Sequence, residues 1–94
     1  MRVEPTPNPN SVKFTVDRPL TQGRGATYRS GEEADHPLAR RLLEVEGVEM
    51  VFMLNNFVTV TRRPGADWNT LVPACRDRIV QYLKQEGAPE AGPE

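Results

Sequence analysis

The sequence predicts an α+β domain in which a mostly antiparallel sheet carries two helices on one face, in the order β-β-(β)-α-β-β-α. Strand-like runs lie before and after a helical pattern in the middle of the chain. A proline begins that helical pattern and a glycine follows its end. A pair of asparagines connects the last two predicted strands. With 94 residues, 37% of them hydrophobic, the chain has room for one small core. We expect one domain over residues 1–85 and a disordered tail, 86–94, because the tail lacks an apolar period.

Two N-terminal strands are predicted on either side of a proline-rich segment. A short strand is expected near Arg2–Glu4, and alternating apolar and polar residues predict a second over Ser11–Val16. Prolines occupy every second position between them, and each restricts the preceding residue to extended geometry. Because proline cannot donate to a sheet ladder, Thr6–Asn10 is predicted to be a semi-rigid connector. The prolines are Pro5, Pro7 and Pro9.

The middle of the chain contains a weak strand pattern and a first helix. Residues 17–35 are polar and rich in glycine, with a short strand expected at Ala26–Ser30. In His36–Gly47, a proline stands at the first helical position and a glycine stands just past the end. The apolar residues at helical spacing are Leu38, Leu42 and Val45. We predict a short amphipathic helix in this stretch.

A hairpin is predicted directly after the first helix. Residues 48–54 are apolar except for Glu49, and residues 57–62 are rich in β-branched and aromatic side chains. Asn55 and Asn56 lie between them, and asparagine tolerates the positive φ angles found in two-residue turns. The sequence therefore predicts two strands, 48–54 and 57–62, with a two-residue connection.

The second helix is predicted from a cap at Asp67 to about Gln85. Apolar residues recur every three or four positions at Trp68, Val72, Cys75, Ile79 and Leu83. Pro73 conflicts with a regular helix interior, so the helix either starts close to Thr70 or bends at the proline. Trp68 is expected to anchor this helix on the sheet, because its large side chain contributes heavily to a small core.

Charge and cysteine content exclude several functional classes. Twelve basic and thirteen acidic residues are interleaved and give a net charge of −1, which predicts neither a nucleic-acid nor a membrane partner. No apolar run reaches membrane-spanning length and the first residues lack a signal-peptide pattern, so a cytoplasmic location is expected. Cys75 is the single cysteine, and with one histidine it cannot form a Cys/His zinc site within one chain.

Several separated motifs make the chain similar to one known family. They occur in the family's order and approximate spacing between residues 6 and 73. The motifs are Thr6-Pro7-Asn8-Pro9-Asn10 with Lys13-Phe14, Pro37-Leu38-Ala39 with Leu42 and Gly47-Val48, Val51-Phe52, Phe57-Val58-Thr59-Val60-Thr61, and Trp68 with Leu71 and Pro73. On these residues the chain resembles the N-terminal domain of the NifU-like iron–sulfur cluster scaffold proteins, the Nfu family.

The resemblance implies a compact α+β domain that, in longer members, precedes a C-terminal domain whose Cys-x-x-Cys pair holds the cluster. This sequence contains no Cys-x-x-Cys, and cluster irons are ligated chiefly by thiolates, usually four per cluster. We therefore expect no cofactor on this chain alone, and iron or an iron–sulfur cluster only through a partner. The expected partner is an iron–sulfur assembly or recipient protein, including a separate protein with the Cys-x-x-Cys pair.

Two surfaces are candidates for docking such a partner. The first is Thr6, Pro7, Asn8, Pro9 and Asn10, since a pre-extended segment lowers the ordering cost of binding. A purely structural connector would explain the prolines fully, and it is the favoured interpretation. The second is the hairpin tip, Asn55 and Asn56. The family usually has an acidic residue where this chain has Asn56 and tends to have glycine where it has Leu54. Both departures argue against a carboxylate iron site at the tip.

A different class of function is iron binding by carboxylates near the first helix. Glu32, Glu33 and Asp35 are hard oxygen donors that could join His36, although an acidic loop is usually solvated and His36 is expected to cap the helix. Cys75 lies on the apolar stripe of the second helix and is expected in the core; the other interpretation is a redox-sensing or cluster-bridging thiol.

No catalytic arrangement is recognised in the sequence. No nucleophile, base and orienting group can be assembled, and no glycine-rich phosphate loop follows a strand, so an enzyme is not expected. A third interpretation remains open, in which the fold serves protein interactions unrelated to iron–sulfur clusters, because a fold does not determine a function.

Overall fold

A computed structural model describes residues 1–87 and places five strands and two helices in the predicted order. The elements are β1 (Arg2–Pro5), β2 (Ser11–Thr15), β3 (Ala26–Arg29), α1 (Pro37–Leu43), β4 (Val48–Leu54), β5 (Phe57–Arg62) and α2 (Trp68–Tyr82), which continues into a π-helical turn, Leu83–Gly87. The α+β prediction is confirmed. Residues 88–94, most of the predicted tail, lie outside the described residues.

The five strands form one sheet in the order β1-β2-β5-β4-β3, and every neighbouring pair is antiparallel. β5 occupies the centre, and β1 and β3 form the two edges. In the central pairing, Ser11 lies opposite Thr61 and Thr15 lies opposite Phe57. The register between β4 and β5 shifts at Val48, where one extra residue is accommodated.

Both helices cover the same face of this sheet. Residues that lie opposite one another across neighbouring strands point to the same face of the sheet. On the face that the helices cover, these side chains are buried. The strands contribute Phe14, Val51, Met53, Val58 and Val60, and the helices contribute Leu38, Leu42, Leu71, Cys75 and Ile79. The predicted placement of two helices on one face is therefore confirmed.

The opposite face of the sheet carries a smaller group of half-buried side chains. The rings of Phe52 and Phe57 lie 6.1 Å apart at an angle of 49°, and the ammonium of Lys13 lies 4.6 Å from the Phe57 centroid. Such contacts are favourable for aromatic pairs and for a cation over a ring. They shield these rings from water on a face that neither α1 nor α2 covers.

The first helix is shorter than its sequence pattern. α1 begins with Pro37 at its first position, as predicted, but the regular helix ends at Leu43. Val45 then donates its N–H to the carbonyl of Leu42, and Gly47 has a φ angle of 101°. A Cβ at Gly47 would approach Leu71 to 3.1 Å, so both the backbone angle and the packing favour glycine. The chain turns into β4 at this residue.

The second helix begins at Trp68, with Asp67 as its cap. The side chain of Asp67 accepts a hydrogen bond from the N–H of Asn69 at 3.0 Å. The alternative start near Thr70 is wrong, because this cap organises the first turn two residues earlier. Pro73 therefore lies inside the helix, where it removes one N–H that would have bonded the carbonyl of Asn69.

The predicted hairpin is confirmed at the predicted bounds. β4 ends at Leu54 and β5 begins at Phe57, so Asn55 and Asn56 form the connection. Asn55 has a φ angle of 54°, and it is the only residue other than glycine with a positive φ in the part of the chain that the structure describes. Asparagine is among the residues that tolerate this conformation, which accounts for its place in the turn.

Candidate functional site

The proline–asparagine segment, Thr6–Asn10, is a turn that its own side chains close. The Oγ1 atom of Thr6 accepts a hydrogen bond from the N–H of Asn8 at 3.1 Å. The same hydroxyl donates to the carbonyl of Ser11 at 3.1 Å. The Oδ1 atom of Asn8 accepts from the N–H of Asn10 at 2.9 Å. As predicted, this segment connects the first two strands, and its polar side chains replace bonds that prolines cannot donate.

Two large side chains tie this segment to the rest of the domain. The backbone N–H of Arg62 donates to the carbonyl of Asn10 at 2.9 Å, and its Nε atom donates to Asn10 Oδ1 at 3.3 Å. The indole Nε1–H of Trp68 donates to the carbonyl of Pro9 at 3.4 Å, and the guanidinium of Arg62 lies 5.4 Å from the indole centroid. The segment, the end of β5 and the start of α2 therefore meet at one place.

The hairpin tip holds a different part of the chain. The carbonyl of Asn55 accepts from the N–H of Leu20 at 2.6 Å and from the N–H of Thr21 at 3.2 Å. The carbonyl of Asn56 accepts from the N–H of Val16 at 2.8 Å, and Asn56 Nδ2 donates to the carbonyl of Val16 at 3.2 Å. The tip thus fixes the segment that follows β2, largely through backbone groups.

The two candidate docking surfaces lie at opposite ends of the sheet. Asn10 bonds to Arg62 at one end of the β2–β5 ladder, and Val16 bonds to Asn56 at the other. Asn10 and Val16 are six positions apart along extended chain, which corresponds to about 20 Å. A small partner surface therefore contacts one of these ends or the other, and the structure does not join them into one patch.

His36 is the cap of α1, as predicted. Its Nδ1 atom accepts a hydrogen bond from the N–H of Leu38 at 3.1 Å, and its Nε2 atom donates to the carbonyl of Leu20 at 3.0 Å. This pattern requires the neutral imidazole with its proton on Nε2. Both ring nitrogens are engaged within the chain, so a metal would have to displace one of these bonds.

The acidic residues before α1 are engaged in separate local contacts. Asp35 accepts a hydrogen bond from the hydroxyl of Tyr28 at 2.8 Å, and Glu32 accepts from the N–H of Arg29 at 3.3 Å. Burial, together with the neighbouring Asp35 carboxylate, raises the pKa of Tyr28. Within residues 1–87, no group of three or more His, Cys, Asp or Glu side chains is placed to hold a metal ion. Iron binding at Glu32, Glu33, Asp35 and His36 stays a prediction.

Cys75 lies in the core between α2 and the sheet, with its side chain fully buried. Burial raises the pKa of this thiol to about 11, and the positive charge of Arg78 opposes the shift in part. A thiol with so high a pKa is almost fully protonated near neutral pH, whereas the thiolate is the metal-binding and nucleophilic form. The structure supports the core interpretation of Cys75.

Sequence reasoning missed the role of Arg62. This residue links the proline–asparagine segment to α2 through Asn10, through the Trp68 ring and through the carbonyl of Ala66, to which Nη1 donates at 2.9 Å. Arg62 lies at the end of a strand and next to Arg63, and two adjacent arginines at a strand end are typical of a solvated surface. The available signal was a strand-terminal arginine followed six positions later by a helix-initial tryptophan. Their contacts with Asn10 and Pro9 join residues 52 and 59 positions apart.

Comparison with known proteins agrees with this architecture. The family described as scaffold protein Nfu/NifU N terminal matches residues 1–86. The chain is 40% identical over 85 residues to the human protein named NFU1 iron-sulfur cluster scaffold homolog, mitochondrial. This match covers 88% of the chain and 34% of the human protein. It is 33% identical over 73 residues to conserved virulence factor C of Staphylococcus aureus, covering 78% of this chain and 20% of that protein. The chain thus spans between a fifth and about a third of the length of these curated relatives.

Solved structures show the same fold. The crystal structure of protein SAV1430 from Staphylococcus aureus matches with a TM-score of 0.76 at 25% identity, over 84% of this chain and 95% of that one. The solution structure of a NifU-like protein from Saccharomyces cerevisiae matches with a TM-score of 0.71 at 24% identity, over 89% and 77%, which shows likeness of fold alone. No helix within residues 1–87 is both long and apolar enough to cross a membrane. With the family match spanning nearly the whole described domain, the chain belongs to the Nfu/NifU N-terminal family.

Proposed function

We propose that this domain acts in iron–sulfur cluster assembly, in the cytoplasm, by docking a cluster carrier or a recipient apo-protein without holding the cluster itself. The role is one of binding and involves no catalysis. Membership of the Nfu/NifU N-terminal family supports the link to cluster assembly, as does the scaffold name of the human relative. The preferred partner is a protein that carries the Cys-x-x-Cys pair missing from this sequence.

The burial of Cys75 is the observation on which this proposal rests. A cluster is usually ligated by four thiolates, and this chain has one cysteine, fully buried, with its pKa raised to about 11. Exposing that thiol requires opening the core beneath α2. The thiolate ligands are therefore proposed to come from the partner, and this domain supplies recognition.

We place the docking surface on the proline–asparagine segment. Asn8 and Asn10 are exposed, and each uses its Oδ1 atom within the chain. Their Nδ2 amides make no hydrogen bond within residues 1–87 and remain as donors for a partner. Because the turn is already ordered by Thr6 and Trp68, binding loses little conformational freedom.

Anaerobic reconstitution tests the first half of the proposal. The chain is incubated with iron and sulfide, desalted, and examined by visible absorption with iron and sulfide counts per chain. We expect a colourless protein with no stoichiometric iron or sulfide. A cluster spectrum that survives desalting and is abolished by Cys75→Ala would overturn the proposal and indicate a cluster shared between chains. Iron(II) titrated against magnesium then tests the carboxylates Glu32, Glu33 and Asp35 separately.

Paired substitutions test the docking surface. Asn8→Asp with Asn10→Asp keeps both side-chain oxygen acceptors and removes both amide donors, so the fold is expected to stay intact. Titration of the ¹⁵N-labelled chain with a purified cluster carrier containing Cys-x-x-Cys should give shifts at residues 6–10 that this double variant weakens at least about tenfold. Asn55→Gly with Asn56→Gly is the matched control at the other end of the sheet. Shifts confined to the hairpin tip would move the docking surface there and contradict this assignment.

A further inference from the structure

The large exposed apolar side chains of the domain lie together at one edge of the sheet. Within residues 1–87 they are Met1, Val3 and Val80, which are 50%, 37% and 36% exposed. Met1 and Val80 line one cavity of about 230 Å³, together with the half-buried Leu83. Val3 lies opposite Phe14, so it points to the same, helix-covered side of the sheet. An apolar patch thus borders the outer edge of β1, which pairs with no strand within the described residues.

The hydrogen bonds of β2 determine which backbone groups of that edge are free. Asn10 accepts a bond from Arg62, and Val16 donates to Asn56, so the even-numbered residues of this part of the chain face β5. In an antiparallel sheet, consecutive residues direct their N–H and C=O groups to opposite sides. The odd-numbered residues of β2 therefore face β1.

Among residues 1–87, the backbone groups of β1 that face no neighbouring strand are those of Val3 and Pro5. Arg2 and Glu4 lie opposite odd-numbered residues of β2, so their backbone N–H and C=O groups are directed toward β2. The backbone groups of Val3 and Pro5 are therefore directed away from the sheet. Val3 offers an N–H and a C=O on the open edge, and Pro5 offers a C=O alone. This agrees with the rule that proline is accepted in an edge strand where its nitrogen faces away from the sheet.

The sequence of this edge is complementary to itself. When two β1 strands run antiparallel with Val3 opposite Val3, Arg2 of each copy lies opposite Glu4 of the other. The two Val3 residues exchange a pair of N–H···O bonds, and opposite charges face each other twice. The other edge, β3, has no such complementarity: pairing it about Tyr28 would place Thr27 opposite Arg29.

We propose that β1 pairs with β1 of a second copy of this chain, giving a two-fold symmetric dimer with one continuous ten-stranded sheet. The exposed Met1, Val3 and Val80 of both copies then lie along the junction on the helix-covered side. The interface is short, because each β1 has four residues and Pro5 lacks an N–H. We expect a weak, reversible association with a Kd on the order of 0.1 mM, which matches the small interface size.

Charge reversal with mixing tests the pairing. The protein and its variants Arg2→Glu and Glu4→Arg are studied by sedimentation equilibrium from about 10 µM to about 1 mM, a range that brackets the expected Kd. Each single variant places like charges opposite one another twice, and we expect its self-association to weaken at least about tenfold. An equimolar mixture of the two variants restores opposite charges at both positions, so it should associate as strongly as the original chain. The double variant with both substitutions should do the same.

The variants also carry their own folding control. The Arg2–Glu4 ion pair within one chain is 3.8 Å long and exposed, so Arg2→Glu should leave the urea midpoint almost unchanged. Glu4 also lies opposite Lys13 on β2, so Glu4→Arg should lower the midpoint slightly. Protection of the Val3 amide from hydrogen exchange should rise with concentration in the original chain. A monomer at every concentration overturns the proposal, and so does a mixture that associates no better than its separate components.

Discussion

Asparagines close both ends of the sheet, but their side chains take a larger part at one end than at the other. In the proline–asparagine segment, the side-chain oxygens of Asn8 and Asn10 each accept a bond. These bonds add to the ones that the two backbone carbonyls accept from Ser11 and Arg62. At the hairpin tip, the backbone carbonyls of Asn55 and Asn56 accept most of the bonds. The asparagine side chains therefore contribute more at the first end, whereas at the tip Asn55 is suited by its backbone conformation.

This difference matters for recognition as well as for stability. A partner that docks on the first end contacts asparagine side chains whose Oδ1 atoms already accept a hydrogen bond within the chain. Their amide nitrogens can still donate to the partner. A partner on the second end meets side chains that contribute less to the fold. Substitutions that separate side-chain chemistry from backbone conformation can therefore test each end independently.

The largest effect is expected from Trp68→Ala. The change removes apolar contact with the core, the stacking of Arg62 and the bond to Pro9, and it should lower the free energy of unfolding by about 2–4 kcal/mol. Urea denaturation measures this loss. Trp68→Phe keeps an aromatic ring and removes the indole N–H, so it should cost clearly less. If both variants lowered the free energy of unfolding by the same small amount, Trp68 would not stabilise the contact between the proline–asparagine segment and α2.

Thr6→Val should come next. The substitution keeps the shape of the side chain and removes the hydroxyl that bonds to Asn8 and Ser11, with an expected loss of about 1–2 kcal/mol. Thr6→Ser keeps the hydroxyl and serves as the control, so its urea midpoint should stay close to that of the original chain. A loss for Thr6→Ser with none for Thr6→Val would show that the methyl group matters and the hydroxyl does not.

Asn55→Ala is expected to cost about 1 kcal/mol, because an alanine at a φ angle of 54° is strained. Asn55→Gly should cost little, since glycine adopts this conformation without strain. Thermal or urea unfolding distinguishes the two. An alanine variant as stable as the glycine variant would mean that the positive φ angle at this position does not limit which residues the turn accepts.

The smallest effect is expected from Asn56→Ala. The side chain donates one partly buried bond to Val16 at 3.2 Å, while the backbone bond at 2.8 Å between the same two residues is retained. We expect a loss of about 0.5 kcal/mol, at the low end for a hydrogen bond. A loss as large as that of Thr6→Val would remove the contrast between the two ends.

Local signals in the sequence were sufficient for most of the fold. The hairpin was predicted at its observed bounds because Asn55 and Asn56 separate two uniform apolar and β-branched runs. The caps of both helices were also local: His36 and Asp67 each bond to an N–H two residues later. The alternative start of α2 near Thr70 failed because the cap at Asp67 outweighs the disruption by Pro73, whose effect falls on one exposed bond.

The candidate sites depended on contacts that local signals do not carry. The bond from Trp68 to Pro9 joins residues 59 positions apart, and the bond from Arg62 to Asn10 joins residues 52 apart. Each partner has an unremarkable local role as a core aromatic, a charged strand end or a turn residue. The placement of Val3 at an exposed edge likewise follows from strand order, which alternation within one strand cannot specify.

The central position of β5 has a consequence for how the chain folds. β5 acquires one partner across a two-residue turn, but its other partner pairs Ser11 with Thr61, 50 residues away. Closing the longer loop costs more entropy, so we expect the β4–β5 hairpin to form early and the N-terminal strands to dock late. Until they dock, the whole flank of β5 presents unsatisfied N–H and C=O groups, and the nascent chain is exposed to aggregation along that flank.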